Sequence, residues 1–149
     1  VPHAFHDPAA SLTTDLRLED AGCAFIGVWC RSQDKVAGHV PPSQLHTLET
    51  IASRPDISLR DLAEQIGSTS SSASRLCDRL VAAGLLTRSA DDNDRRRVAL
   101  RATAAGDQLI RDLIRQRRLD LQQVMDKMTA TERDQLTRGL AAFAAASQK

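Results

Sequence analysis

Apolar residues recur at helical spacing from Leu12 to about Ser32, at Leu12, Leu16, Leu18, Ala21, Phe25, Val28 and Trp29, and this predicts a first helix. Gly22 and Gly27 cost that helix about 1 kcal/mol each relative to Ala, so packing against other elements has to hold it, and they leave room for a close neighbour. A polar connector, Gln33 to His39, and the pair Pro41 and Pro42 then precede a second helix with Leu45, Leu48, Ile51 and Ala52 on one face. Pro42 suits the first helical position, where its missing N–H would have no partner anyway. Arg54, Pro55 and Asp56 end this helix, and Ile57 fits a brief strand that pairs with a later hairpin.

From Ser58 to Arg101 the order becomes helix, turn, helix, hairpin. Ser58 is placed to cap a third helix, accepting from the N–H of Asp61 while the Asp61 carboxylate points back, an arrangement contributing about 1 kcal/mol. Leu59, Leu62, Ala63 and Ile66 form the buried side of that helix, Gly67 ends it, and Thr69 caps the next. In the fourth helix Ala73, Leu76, Cys77, Leu80 and Val81 point inward, leaving Ser70, Ser71, Ser74, Arg75, Asp78 and Arg79 outward. Gly84 supplies a left-handed position at its end. Leu85 to Arg88 and Arg97 to Ala102 read as two short strands; in the second, Val98, Leu100 and Ala102 pack while Arg97, Ala99 and Arg101 face solvent or phosphate. Thr103 caps a long fifth helix with the stripe Leu109, Ile110, Leu113, Ile114, Leu121, Val124, Met125 and Met128, and with Arg115, Arg117 and Arg118 on a polar flank. Thr129 and Glu132 form a second capping box before an alanine-rich sixth helix bearing Leu136, Leu140 and Phe143.

Charge sharpens this picture. The 149 residues carry a net charge of only +1, but residues 1 to 70 hold five Lys/Arg against nine Asp/Glu, whereas residues 71 to 101 hold seven Arg against four Asp. Positive charge is thus concentrated on the fourth helix and the hairpin. With three Phe, one Trp and no Tyr, stacking platforms for single-stranded bases are nearly absent. Cys23, Cys30 and Cys77 are odd in number without CxxC spacing, which fits a reducing cytoplasm. No apolar run reaches the roughly 20 residues that span a bilayer, and the first residues lack the basic and apolar regions of a signal peptide. A cytoplasmic protein is therefore expected. His3, His6, His39 and His46 lack paired ligand spacing, so no metal is expected. No nucleophile, base and orienting group fall together and no phosphate-cradling glycine loop is present, so neither an enzyme nor a cofactor is expected.

A helix that enters the major groove needs short polar side chains in its first turn and Arg a turn later. Ser70, Ser71, Ser74 and Arg75 meet this requirement, with Arg75 suited to base or phosphate and Arg79 to phosphate. The serines alone would be explained by capping; together with the hairpin, DNA is the favoured partner. Arg95, Arg96 and Arg97 at the hairpin tip repel one another unless an anion accepts them, and a guanidinium fits a narrow minor groove.

PSQLHTL at Pro42 to Leu48, LRDLAEQIG at Leu59 to Gly67, SSASRLCDRLVAAGLLTR at Ser71 to Arg88 and DRRRVALRATAAG at Asp94 to Gly106 together resemble the MarR family of winged helix-turn-helix transcription regulators. Two positions depart from the family pattern: Ser68 stands where an apolar residue is usual, and Ala102 replaces Leu before Thr103. The resemblance implies that Arg96 enters the minor groove with Asp94 holding it, that the terminal helices join a dimer, and that a small phenolic or other anionic effector binds between the winged domain and those helices. Trp29 and His46 are candidates for lining that site, with core packing the favoured role for Trp29. Cys23 lies near the position of the reactive cysteine in redox-sensing members, but the partner Tyr of such sensors is missing, and a structural role is favoured.

The expectation is a mainly α (α+β) fold, a winged helix-turn-helix with terminal dimerisation helices. Residues 1–10, with two Pro and no period, form a flexible arm; 11–39 and 103–149 are dimerisation helices; 40–102 bind DNA. The function expected is sequence-specific binding of double-stranded DNA by a homodimer on pseudo-palindromic operators, as an effector-responsive repressor. The alternatives are a winged-helix protein-interaction module without sequence preference and a cysteine-based redox-sensing regulator.

Overall fold

The structure is a computed structural model that describes residues 8–90 and 98–147, with side chains described over 17–89 and 99–147. In chain order the elements are α1 (Pro8–Ala37), α2 (Pro42–Ser53), β1 (Ile57–Ser58), α3 (Leu59–Gln65), α4 (Ser70–Ala82), β2 (Leu86–Ala90), β3 (Val98–Ala102), α5 (Ala104–Met125) and α6 (Ala130–Ser147). The strands form one antiparallel sheet in the order β1-β3-β2, with Ile57 opposite Leu100 and Arg88 opposite Leu100 on the other edge. This is the mainly helical winged helix-turn-helix anticipated from the pattern, including the two-residue strand at Ile57. Among the described residues, no helix is long and apolar enough to cross a membrane.

The chain divides into two compact units, residues 31–116 and residues 1–30 with 117–149. In the first, Leu48, Ile51, Leu62, Cys77, Leu80, Leu86, Leu100 and Ile110 make the main core. Leu48, Leu62 and Leu80 are fully buried, each contributing about 1.5–3 kcal/mol. A smaller cluster joins Ala37, Val40, Leu45 and Leu113. It explains why α1 runs to Ala37, through most of the stretch read as a connector: Ala37 is buried in that cluster, and the polar Gln33, Asp34 and Lys35 belong to the outer turns of the same helix. At its other end α1 begins at Pro8, inside the stretch read as an arm.

Three packing expectations need correction. Val81, read as inward, is 41% exposed, because it lies one position past the fully buried Leu80 and so points roughly 100° away from it around the helix. Ala99, read as solvent-facing, is buried; β3 is the central strand, and Ala99 sits between Ser58 and Ser89 of its two neighbours. Arg117, placed on a polar flank, is also buried.

In the second unit Phe25 and Trp29 stack with ring centroids 6.4 Å apart, and the Arg117 guanidinium carbon lies 3.9 Å from the Trp29 ring centroid. A cation over an indole face is attracted by the ring quadrupole, and this contact contributes to holding the arginine away from water. No α6 residue is buried, and Leu18, Ile26, Leu119, Val124, Leu136, Leu140 and Phe143 are exposed large apolar side chains of this unit. The Thr129–Glu132 box forms as read: Thr129 N–H donates to Glu132 Oε2 at 2.8 Å and Glu132 N–H to Thr129 Oγ1 at 3.3 Å. The Thr129 N–H and the Thr129 hydroxyl, which also donates to Glu132 Oε2 at 2.8 Å, hold the Glu132 carboxyl below its ordinary pKa.

Candidate nucleic-acid interface

The helix-turn-helix is built from paired caps. Ser58 Oγ accepts from Asp61 N–H at 3.1 Å and donates to the Asp61 carboxylate at 2.7 Å, which starts α3. Gly67, at φ +62°, ends it: Gly67 N–H reaches Glu64 O and Ser68 N–H reaches Ala63 O, the two hydrogen bonds of a Schellman motif. Only Ser68 separates this stop from Thr69, whose hydroxyl accepts from Ser72 N–H at 3.2 Å and starts α4. Gly84, at φ +70°, repeats the stop, with Gly84 N–H on Val81 O and Leu85 N–H on Leu80 O. The orientation of α4 is thus set by backbone chemistry at both ends and by Ala73, Cys77 and Leu80 pressed into the core. Burial pushes the Cys77 thiol pKa up, with Arg88 nearby working against it.

The opposite side of α4 is open. Ser70, Ser71, Arg75 and Arg79 are exposed, and Ser74 is half-buried. Ser71, Arg75 and Asp78 follow one another at i, i+4, i+7 and share a stripe. Among the described residues, neither Arg75 nor Arg79 makes an ion pair. The hairpin starts beside this helix, with β2 and β3 in register from Leu86–Ala102 to Ala90–Val98. Asp94, Arg95, Arg96 and Arg97 lie outside the described residues, between the ends of those strands.

Two arginines brace the hairpin: Arg88, which was not singled out from sequence, and Arg101, read as facing solvent or phosphate and found paired with a carboxylate. Arg88 of β2 donates through Nη2 to the Ser74 carbonyl of α4 at 3.2 Å and pairs with the Asp78 carboxylate at 2.8 Å. Arg101 of β3 pairs with Asp56 in the α2–β1 corner, where Asp56 has φ +67°. The Arg101 hydrogen bond holds the Asp56 carboxyl below its ordinary pKa. For Arg88 the sequence signal was an Arg near a strand end, and for Arg101 the strand alternation that turns it outward. Recognising the partners requires the sheet register and the crossing of strand and helix.

The base of the hairpin is fixed to α5. Thr103 Oγ–H donates to Gly84 O at 2.7 Å, and the same oxygen accepts from Gly106 N–H at 3.1 Å, the cap anticipated for α5. Of the remaining candidates, Trp29 is part of the Arg117 stack, and His46 is exposed on α2. Cys23 and Cys30 are exposed, whereas Cys77 is buried as expected. Among the described residues, no group of three or more His, Cys, Asp or Glu side chains is arranged to hold a metal ion.

Residues 40–98 match a family model described as the MarR family. The transcriptional repressor MprA of Escherichia coli (strain K12) is 32% identical over 91 residues, 60% of this chain and 52% of that protein. The chain therefore spans about half the length of MprA. The crystal structure of RV1404 from Mycobacterium tuberculosis shares the fold with a TM-score of 0.85 at 27% identity, over 99% of this chain and 100% of that one. Streptococcus pneumoniae FabT, crystallised in complex with DNA, matches with a TM-score of 0.79 at 19% identity, over 91% and 97% of the two chains. Residues 40–98 are thus similar to the MarR family, and the chain shares the fold of these solved structures.

Proposed function

We propose that this protein is a transcription regulator, not an enzyme, which binds double-stranded DNA as a homodimer and represses until an effector changes the separation of its two reading heads. The observation that carries the reading is the open face of α4: Ser70, Ser71 and Arg75 project from a helix whose other side is locked in the core. Short hydroxyl side chains let the helix backbone approach base edges, Arg75 reaches a base or phosphate, and Arg79 a phosphate. Ser74, half-buried, contributes at the edge of that face. Arg96 enters the minor groove with Asp94 holding it, and Arg95 and Arg97 meet phosphates or brace the wing. The DNA complex of FabT, a protein of the same fold, supports DNA as the partner, and the repressor role of MprA supports repression.

The apolar residues left exposed on α1, the end of α5 and α6 favour a dimer through the terminal helices, since a second copy covers them economically. Two recognition helices then meet half-sites roughly 10 base pairs apart. For the effector, a small phenolic or other anionic molecule, Trp29 and His46 remain the residues named; Trp29 is the sole tryptophan, so its fluorescence reports binding of a small aromatic carboxylate. The redox reading gains little: Cys23 is exposed, but the chain has no Tyr to serve it.

Selection of bound duplexes from a random pool tests the function. Enrichment of a pseudo-palindrome is the expected result. Retention of duplexes without any enriched sequence would favour the protein-interaction alternative instead.

A further inference from the structure

Asp78 is out of place on a face that meets DNA. It is exposed, one turn beyond Ser74 and three residues beyond Arg75 on the same helix, and its carboxylate would repel phosphate. An unoccupied carboxylate at that spacing would also draw in the Arg75 guanidinium, as i,i+3 pairs on helices do. The structure gives Asp78 a different partner. Arg88 reaches across from β2 to the Asp78 carboxylate at 2.8 Å, while also donating to the Ser74 carbonyl at 3.2 Å. Among the described residues Arg75 then makes no ion pair.

We propose that Arg88 is a positioning residue for DNA reading: by occupying Asp78 it leaves Arg75 available to the duplex, and through the Ser74 carbonyl it ties the middle of the recognition helix to the first hairpin strand. The inference rests on the DNA-binding function proposed above and adds a specificity role to a residue that itself need not touch DNA. As an exposed pair, Arg88 and Asp78 add little to stability. Their importance lies in which arginine the carboxylate holds.

The test is a double-mutant cycle on the full chain, titrating a duplex that the unaltered protein selected from a random pool against a scrambled duplex of the same length. Arg88→Ala is expected to lower the preference for the selected duplex on the order of tenfold, because Asp78 captures Arg75 and remains as a bare negative charge. Asp78→Asn alone should keep the preference, and Arg88→Ala with Asp78→Asn together should recover most of it, with circular dichroism and urea denaturation showing the fold intact in each variant. An Arg88→Ala protein that reads DNA as well as the unaltered chain overturns the proposal. So does a double variant as weak as Arg88→Ala, with a salt slope lower by about one phosphate, which would make Arg88 a direct contact. Should Arg88→Ala fail to fold, Arg88→Gln decides: the positive charge that holds Asp78 is lost while most of the side-chain length is kept, so a lowered preference rescued by Asp78→Asn supports the pair, and a deficit left unchanged by Asp78→Asn overturns it. If the unaltered chain selects no duplex at all, it is the DNA-binding function that fails, and the role of Arg88 falls with it.

Discussion

Alanine at position 106 would place its Cβ 2.2 Å from the Leu85 carbonyl oxygen and 3.2 Å from the carbon of the same carbonyl. Neither atom belongs to a flexible side-chain end. The Leu85 carbonyl is already engaged, accepting the Thr103 N–H at 3.0 Å, and Gly106 N–H is itself held by the Thr103 hydroxyl at 3.1 Å. Relief of the overlap therefore means separating the start of α5 from the chain entering β2. Overpacking of this kind costs about 1–3 kcal/mol, and a weakened backbone hydrogen bond adds about 1 kcal/mol. The better helix propensity of Ala offsets about 1 kcal/mol. A net loss of about 1–3 kcal/mol is expected, which lowers the melting temperature by about 2–4 °C per kcal/mol in a chain of this size. Gly139 in α6 is the control, because a Cβ there meets nothing within 4 Å, and Gly139→Ala should stabilise by about 0.5–1 kcal/mol. Urea denaturation followed by circular dichroism, at one fixed protein concentration because association stabilises the folded chain, gives both values. A Gly106→Ala protein as stable as the unaltered chain would refute the close approach of α5 to Leu85.

Thr69→Ala removes the acceptor for Ser72 N–H at the start of α4 and should cost about 0.5–2 kcal/mol, with Thr69→Asp retaining most of the stability; denaturation midpoints of the two variants check this. Asp56→Asn removes the partner of Arg101 while keeping a residue type that accepts the left-handed backbone. Because the folded-state pKa of Asp56 is depressed, its contribution is present above the ordinary carboxylate range and is lost as pH falls through the folded pKa. The stability difference between Asp56→Asn and the unaltered chain should therefore shrink on acidification, and a difference that grows towards low pH would contradict the pairing. Arg96→Ala should weaken specific duplex binding by about 1–3 kcal/mol without loss of fold, as read in a titration at fixed salt.

Where a segment's structure follows from its own residues, the sequence made it legible. The Ser58, Thr69, Thr103 and Thr129 caps and the glycine stops at Gly67 and Gly84 use partners within a few positions of each other, and the buried faces of α3 and α4 follow from helical periodicity. What escaped depends on tertiary placement. Ala99 is buried because β3 is flanked on both edges, and Gln33 to Ala37 are helical because Ala37 joins Leu45 and Leu113. Helical periodicity alone puts Arg117 on the surface, because its partner ring at Trp29 lies on a different helix. The candidate site divides in the same way. The open face of α4 could be read from periodicity, whereas Arg88 and Arg101 could not be distinguished from other basic residues without their partners Asp78 and Asp56.

Equilibrium titration of the selected duplex and a scrambled duplex across several salt concentrations tests the DNA-reading role most directly. The expected result is two chains per duplex, binding of the selected sequence on the order of 10³-fold or more tighter than the scrambled one, and a preference that falls sharply in Arg75→Ala. Equal affinity for the two duplexes, or a preference untouched by Arg75→Ala, would contradict sequence reading by the exposed face of α4.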